Sequence, residues 1–377
     1  MTDRIRIGVA GLGAVAQSVH LPLIARRWDL FDLVAVTDLS ATLREQIGDQ
    51  YGVDPKRQHA SYEDMLAAGG LDGVLILTSG SHGTPALQAI DAGIAVFCEK
   101  PIAFSRAEID RIIEAEAGAG RPMLLLAYMK EYDPALQRLR EALPELDDIR
   151  YAEVEVLHPS APSQLAFSNL RPPARDIPAE ALAPLIARDA LALDAAIGAD
   201  ATADFRRLYA DVIIGSLIHD ISALRSLVGP IGEIDSVRQW DNDSGPGSIE
   251  VSGVVGRARL NLHWHYLPDY PAYHETITLH HAKGSLQLEF AAPYLLNAPT
   301  ELRIVRRDGV GESRRVVRDV TEAFENELVS FHRLVTAGVA APTTAREGSL
   351  DLAVAQRIAR VLGSSRSIPV AGEALDA

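Results

Sequence analysis

Two strand ends carry the chemistry of this chain. The run Ile5-Arg6-Ile7-Gly8-Val9-Ala10 has the apolar, branched character of a buried strand, and it ends in Gly11-Leu12-Gly13-Ala14-Val15-Ala16. About ninety residues later Ala95-Val96-Phe97-Cys98 runs into Glu99-Lys100-Pro101. A Gly-x-Gly-x-x-Ala turn between a strand and a helix is a dinucleotide fingerprint. Gly11 permits the tight turn, and Gly13 lets backbone approach a pyrophosphate. Ala14 and Val15 open a helix whose unpaired N–H groups face the anion, and Ala16 keeps that helix close to the sheet. A second strand, Leu33–Thr37, ends in Asp38, slightly past the usual spacing of a ribose-binding carboxylate. Asp38 can accept from both adenosine ribose hydroxyls and repels a 2′-phosphate, so NAD is the expected cofactor. Ser40 and Arg44 follow closely and keep NADP as the alternative.

The elements that position these residues alternate. To about residue 127 short apolar strands alternate with helical stretches, which implies a parallel sheet. A third strand, Gly73–Thr78, leads into the polar loop Ser79-Gly80-Ser81-His82-Gly83 and a helix from about Thr84. The fourth strand ends at Lys100, and Ser105 with Glu108 forms a capping box for the next helix. A fifth strand is Met123–Ala127. Beyond about residue 130 the rhythm changes. Tyr151–Leu157, Ile249–Val255, Ala258–Trp264, Glu275–His280 and Ser285–Phe290 alternate as strands, with a further hairpin at Arg303–Arg307 and Arg314–Val317. Strands joined by short turns imply an antiparallel sheet. Helices are expected over Pro178–Tyr209, Asp211–Val228, Glu322–Ala337 and Arg346–Leu362.

At 377 residues the chain suits two domains, and 47% hydrophobic residues supply a sizeable core. We expect a dinucleotide-binding domain over 1–127 and a substrate-binding and oligomerisation domain over 128–377, with a helical insert at about 160–210. The net charge of −15 argues against nucleic acid or an anionic membrane as a partner. The single cysteine, Cys98, excludes an intrachain disulfide framework and fits a buried strand. With strand β-character starting almost at Met1 and no long apolar run, a cytoplasmic protein is expected.

With these residues in view the chain resembles the Gfo/Idh/MocA oxidoreductase family. The likeness rests on Gly11-x-Gly13-x-x-Ala16, Glu99-Lys100-Pro101, Tyr128-Met129-Lys130-Glu131-Tyr132-Asp133-Pro134, His219 ten residues before Gly229, and Pro342-Thr343-Thr344 before a final helix. The resemblance implies an N-terminal Rossmann doubly wound parallel sheet followed by an α/β domain with a large, open, mostly antiparallel sheet. It also implies sugar-like or cyclitol substrates, hydride exchange with nicotinamide, and a homodimer or homotetramer assembled through the open sheet. Cofactor contacts fall to Gly11, Gly13, Ala14, Val15, Asp38, Thr78, Ser79, His82, Glu99, Lys100, Pro101 and Met129. Pro101 resembles the family's cis-proline.

Lys100 and His219 are the expected catalytic residues. Lys100 lies at the carboxyl end of a parallel strand, where sites form in open α/β sheets, and its ammonium favours alkoxide character as hydride moves. Glu99 orients rather than reacts. The resemblance places a carboxylate four residues before His219 and a second acid three residues after it, but this chain has Gly215 and Ser222 there. His219 can still accept a proton alone, with Lys100 as its rival for the role. Tyr128, Lys130, His158, Asp220 and Trp264 are the candidate substrate contacts, although Asp220, next to His219, points off its helical face. In His263-Trp264-His265-Tyr266 the two histidines share one strand face and Trp264 takes the other. That cluster either stacks on a sugar ring or packs against a partner subunit; no acidic or cysteine ligand accompanies the histidines, so no metal is expected.

The sequence therefore reads as an NAD(P)-dependent oxidoreductase of the EC 1.1.1 kind, acting on a secondary alcohol or ketone of a sugar, cyclitol or similar metabolite. Two alternatives remain open. One is an enzyme that retains NAD and uses transient oxidation for epimerisation, elimination or glycoside cleavage. The other is a non-catalytic nucleotide sensor on the same scaffold.

Overall fold

The computed structural model describes residues 4–143, 148–242 and 245–377. Among them the strands form two sheets. The first contains β1 (Ile5–Ala10), β2 (Phe31–Thr37), β3 (Gln58–His59), β4 (Gly73–Ile76), β5 (Ala95–Glu99) and β6 (Leu124–Ala127), all pairing parallel in the order β3-β2-β1-β4-β5-β6. That order is the doubly wound dinucleotide-binding arrangement, and its direction reverses between β1 and β4. The sequence reading found five of these strands. The sixth, β3, has only two residues at the edge beside β2, too short for any apolar pattern to show. The strands read as continuous apolar runs because helices cover both faces, and Val74, Leu75, Val96 and Phe97 are fully buried.

Two compact units divide the chain. The first takes residues 1–128, 169–196 and 327–352; the second takes 129–168, 197–326 and 353–377. The first unit thus includes two stretches that return to it late in the sequence, where one cut at residue 127 was expected. Phe331, from the helix Ala323–Ala337, stands edge-on to Phe97 at 5.8 Å between ring centroids and packs against Gly73. Thr343 donates to the Leu126 carbonyl at 2.5 Å and accounts for the Pro342-Thr343-Thr344 motif: it closes the carboxyl edge of β6.

In the second unit the strands are β7 (Tyr151–His158), β8 (Ile231–Asn242), β9 (Gly245–Val255), β10 (Ala258–Tyr266), β11 (His274–His281), β12 (Gly284–Phe290), β13 (Glu301–Asp308) and β14 (Gly311–Arg318). Their order is β14-β13-β12-β11-β7-β10-β9-β8, antiparallel except where β7 and β10 run parallel. The sequence reading missed β8. Three register irregularities against β9 break its alternation, and as an edge strand it carries charges at positions an inner strand would fill with apolar residues. One sheet face packs under helices; the other presents half-exposed side chains such as His263 and His265, as the period-2 reading expected.

Gly11 sets the approach of β1's loop to β4. Its φ is +89°, and a Cβ there would lie 2.7 Å from the Leu77 and Thr78 backbone. A Cβ on the exposed Gly13 would meet no protein atom within 4 Å. Gly11→Ala is therefore expected to destabilise the first unit by about 1–3 kcal/mol through backbone strain and close contact, whereas Gly13→Ala leaves thermal stability unchanged and weakens nucleotide binding. Melting curves of both variants followed by fluorescence, with Trp28 in that unit, separate the two; equal stability loss would refute the assignment.

Candidate active site

The nucleotide side of the first unit is built on strand ends. Leu12 and the buried Ala16 follow Gly11, and the helix winds with a wider π-type turn over Ala16–His20 before the regular turns Leu21–Arg26. Pro22 sits where an N–H would otherwise bond back to Ser18, and the Ser18 hydroxyl donates to the Ala14 carbonyl at 2.6 Å. Asp38 Oδ2 accepts from the Leu12 N–H at 2.8 Å and its Oδ1 from the Ser40 N–H at 2.9 Å, while Arg44 donates to the Asp38 carbonyl at 2.6 Å. Asp38 thus ties the end of β2 to the Gly-rich loop. The exposed Gly13, the half-buried Ala14 and Val15 and the half-buried Asp38 fit a dinucleotide pyrophosphate and ribose: Gly13 leaves space, and the helix start supplies N–H groups.

Glu99 ends β5 in full burial. Its Oε1 receives the His20 Nε2 at 2.8 Å and its Oε2 the Lys100 N–H at 3.1 Å. Burial opposes its charge, yet the His20 hydrogen bond and the nearby positive charges hold the carboxyl below the usual range. His82, expected at the cofactor, spends both ring nitrogens on backbone, 2.7 Å from the Glu99 and Thr78 carbonyls. It joins the carboxyl ends of β4 and β5 and offers a ligand no ring nitrogen. Thr78 and Ser79 are exposed at the same edge, Lys100 is half-buried, and the Lys100–Pro101 peptide is cis. Cys98 is fully buried, and burial pushes its thiol up. The capping box forms as read, with Ser105 and Glu108 bonding reciprocally, and Glu108 also accepts from Ser81 at 2.8 Å.

On the second unit the expected substrate contacts separate. Lys130 is buried in the turn Met129–Tyr132, and its Nζ donates to Asp220 Oδ1 at 2.6 Å and to Glu275 Oε1. Tyr273 donates to Glu275 Oε2 at 2.8 Å, and the Lys130 ammonium lies 4.8 Å from the centre of the Phe290 ring. Lys130 and Asp220, expected at the substrate, are thus paired with each other and with Glu275: two of the ammonium's three donors go to these buried acids. Glu131 is drawn the same way, accepting from Ser222 at 3.0 Å and pairing with Arg140 at 2.5 Å. Tyr128 is buried beneath the first unit's surface, and Met129 is half-buried.

His219 lies half-buried on the helix Ile218–Val228. Asp220 and Ser222 beside it anchor that helix to Lys130 and Glu131. The preceding residues Leu208–Leu217 wind as a π-helix, and a Cβ on Gly215 would lie 2.8 Å from the Ala210 carbonyl oxygen. The acid that the resemblance places at 215 cannot be restored without moving backbone, so Gly215→Asp is a poor probe of His219. Trp264 resolves onto the helix-covered face of β10, where its Nε1 donates to the Ser216 hydroxyl at 3.0 Å. His158, with its Nδ1 at 2.8 Å from the Pro159 carbonyl, sits among Trp264, Tyr266 and Tyr273 at ring distances of 5.3, 6.2 and 5.8 Å. Sequence reasoning did not single out Glu275, Glu131 or His20. Glu275 had a signal: it shares strand parity with the buried Ile277 and Leu279, where a carboxylate needs a partner.

Known proteins place this geometry. Residues 5–126 match the model of the oxidoreductase family with an NAD-binding Rossmann fold. The match covers that domain alone, about the first third of the chain, and it is the part that carries the Gly-rich turn and Glu99-Lys100-Pro101. Inositol 2-dehydrogenase 3 of Saccharopolyspora erythraea is 33% identical over 138 residues, which are 36% of this chain and 40% of that protein. The chain thus spans less than half the length of the curated relatives it first matches. The whole fold resembles UDP-N-acetylglucosamine 3-dehydrogenase of Acidithiobacillus ferrooxidans, with a TM-score of 0.70 at 20% identity over 96% of this chain and 99% of that one. It also resembles a 3-ketoreductase of Actinomadura kijaniata solved with TDP-benzene and NADP, with a TM-score of 0.71 at 15% identity over 96% and 98%.

The buried cluster yields a stability prediction. Burial, eased by Lys130 and worsened by Glu275, pushes the Asp220 carboxyl up to about 8. A carboxyl raised on folding contributes stability that is full below its ordinary range near 4 and is lost as pH rises through about 8. The second unit should therefore lose stability between about pH 5 and 8, and Asp220→Asn should flatten that fall. Lys130→Met, which leaves two carboxylates buried without a cation, should cost about 3–5 kcal/mol. Urea unfolding at several pH values, read by tryptophan fluorescence, checks both; a pH slope unchanged in Asp220→Asn would refute the assignment.

Proposed function

We propose that this protein is an NAD(P)-dependent oxidoreductase that interconverts a secondary alcohol and a ketone on a sugar, cyclitol or similar metabolite. The observation that carries the reading is the carboxyl edge of β5, where Glu99, fixed by His20 and by the Lys100 N–H, is followed at once by Lys100. The names of the relatives, an inositol dehydrogenase, a UDP-N-acetylglucosamine dehydrogenase and a 3-ketoreductase, support that reading. Gly11, Gly13, Ala14, Val15 and Asp38 are the residues that would hold the dinucleotide, whose nicotinamide supplies the hydride exchange. The Lys100 ammonium donates to the reacting oxygen and lowers the cost of its developing charge. His219 takes up the alcohol proton on oxidation and returns it on reduction. Assembly through the uncovered face of the eight-stranded sheet, where His263 and His265 stand half-exposed, belongs to the same reading.

A second reading, retained NAD used for transient oxidation, is favoured by one observation: residues 169–196 pack within the nucleotide-binding unit, not with the sheet that follows them in sequence. Net turnover separates the two. Purified protein offered inositols and hexoses with NAD should form NADH, seen by its absorbance; tightly bound NAD that co-purifies and gives no net NADH supports the second reading. Lys100→Met should lose turnover by about 10²–10³, the scale of one lost donor to a developing oxyanion, with nucleotide binding retained. In the wild type, oxidation should rise with pH through one ionisation that His219→Asn abolishes. An ionisation that survives in His219→Asn and vanishes in Lys100→Met assigns the base to Lys100 instead, and turnover of Lys100→Met within threefold of wild type removes Lys100 from the chemistry.

A further inference from the structure

Residues 169–196 carry no motif, yet their polar side chains land on the strand ends where a dinucleotide is held. The Arg171 N–H donates to the Gln17 side chain at 3.1 Å, and Gln17 in turn donates to the Leu12 carbonyl of the Gly-rich loop at 2.8 Å. The Arg171 guanidinium reaches Gln50 at 2.7 Å and Gln46 at 3.2 Å on the helix Ala41–Gln50. Asp189, on the helix Ala179–Ile197, accepts from the Ser81 N–H at 3.3 Å, so close that a Cβ on Gly80 would collide with its carboxylate. In chain order the segment meets the helices after β1 and β2 at Arg171, the end of β2 at Asp176 and the loop after β4 at Asp189, strand ends that a dinucleotide crosses at a switch point.

Asp176 stands at the ribose end of that path. Its Oδ1 accepts from the Ser40 hydroxyl at 2.6 Å and its Oδ2 from the Thr42 N–H at 2.9 Å. Ser40 also gives its own N–H to Asp38, so two carboxylates flank one residue. A 2′-phosphate at Asp38 would need the donors that follow this strand: the Ser40 hydroxyl, the N–H groups opening the next helix, and Arg44. Asp176 already holds the hydroxyl and the Thr42 N–H, and Arg44 is turned to the Asp38 carbonyl. The Ser40 and Thr42 bonds also hold Asp176 low, to about 2, so it stays charged wherever a phosphate would be.

We infer that Asp176, carried by the insert, is a cofactor-specificity residue that bars the 2′-phosphate of NADP and makes the protein selective for NAD. The inference rests on the dinucleotide-binding reading above and adds a determinant outside the Rossmann strands. On this inference the Ser40 hydroxyl is taken up by the Asp176 carboxylate and the Arg44 guanidinium by the Asp38 backbone carbonyl.

The test is direct binding. Titrate the full-length protein with NADH and with NADPH, following nucleotide fluorescence, in wild type, Asp176→Asn and Asp176→Ala. Asparagine keeps the shape of the contact and removes its charge; because Asp176 is exposed, both variants are expected to fold. The wild type should prefer NADH, and each variant should narrow the preference by about tenfold, chiefly through tighter NADPH binding, as expected from removing one like charge near a phosphate. A preference unchanged within twofold in both variants, or equal weakening toward both nucleotides, overturns the role of Asp176 while leaving the oxidoreductase reading intact. A wild type that prefers NADPH overturns it as well. A wild type that binds neither nucleotide overturns both.

Discussion

One buried ammonium organises the second unit. Lys130 is fully enclosed and shared by Asp220 and Glu275, and Tyr273 completes the Glu275 carboxylate. Taking ionisable groups out of water costs several kcal/mol for each one that stays charged, and only mutual pairing with full hydrogen bonding offsets it. The arrangement therefore has little freedom: a turn, a helix and a central strand must meet at one point. That meeting fixes the helix Ile218–Val228, because Asp220 is held on one side and Ser222, bonded to Glu131, on the other. His219 immediately precedes the first of these anchors in sequence. Its orientation follows from a cluster that does not itself touch substrate in our reading.

The first unit has a different constraint, made of backbone rather than charge. Gly11 lets the loop after β1 press on Leu77 and Thr78, and Asp38 closes the same loop from the β2 side through the Leu12 N–H. Glu99 and His82 do equivalent work between β4 and β5. Polar groups at strand ends are thus used to lock neighbouring loops before any ligand is considered. Loops held this way lose less entropy when a nucleotide is bound, which is how preorganisation raises affinity without a new contact.

Much of this was legible in the residues. The fingerprint at Gly11, the strand run of β5, the capping box at Ser105 and the alternation of β7, β9, β10 and β11 all follow from local periodicity, and the structure reproduces them. Most of what was not legible comes from long-range pairing of polar groups. Lys130 read as a pocket residue because its partners lie 90 and 145 positions away. The insert read as motif-free because Asp176 and Arg171 find their partners more than 120 residues back. β8 was lost for a local reason instead, since its register slips erase the alternation that would mark it.

The departure at Gly215 shows how the missing acid and the helix geometry belong together. A carboxylate one turn before His219 needs a regular α-helix to bring it onto the same face. Here residues 208–217 wind wider, and the Ala210 carbonyl takes the space a side chain at 215 would occupy. The wider winding also brings Ser216 within 3.0 Å of the Trp264 indole, which sets the aromatic wall formed with His158 and Tyr273. Exchanging the acid for glycine therefore alters more than one charge. It goes with a different helix path, and that path trades an electrostatic partner for His219 against a hydrogen bond that seats an aromatic surface. π-type turns of this kind gather at functional sites because they shift side chains by a fraction of a turn without ending the helix. On that argument the glycine at 215, where the resemblance implies a carboxylate, goes with a rebuilt wall around His219.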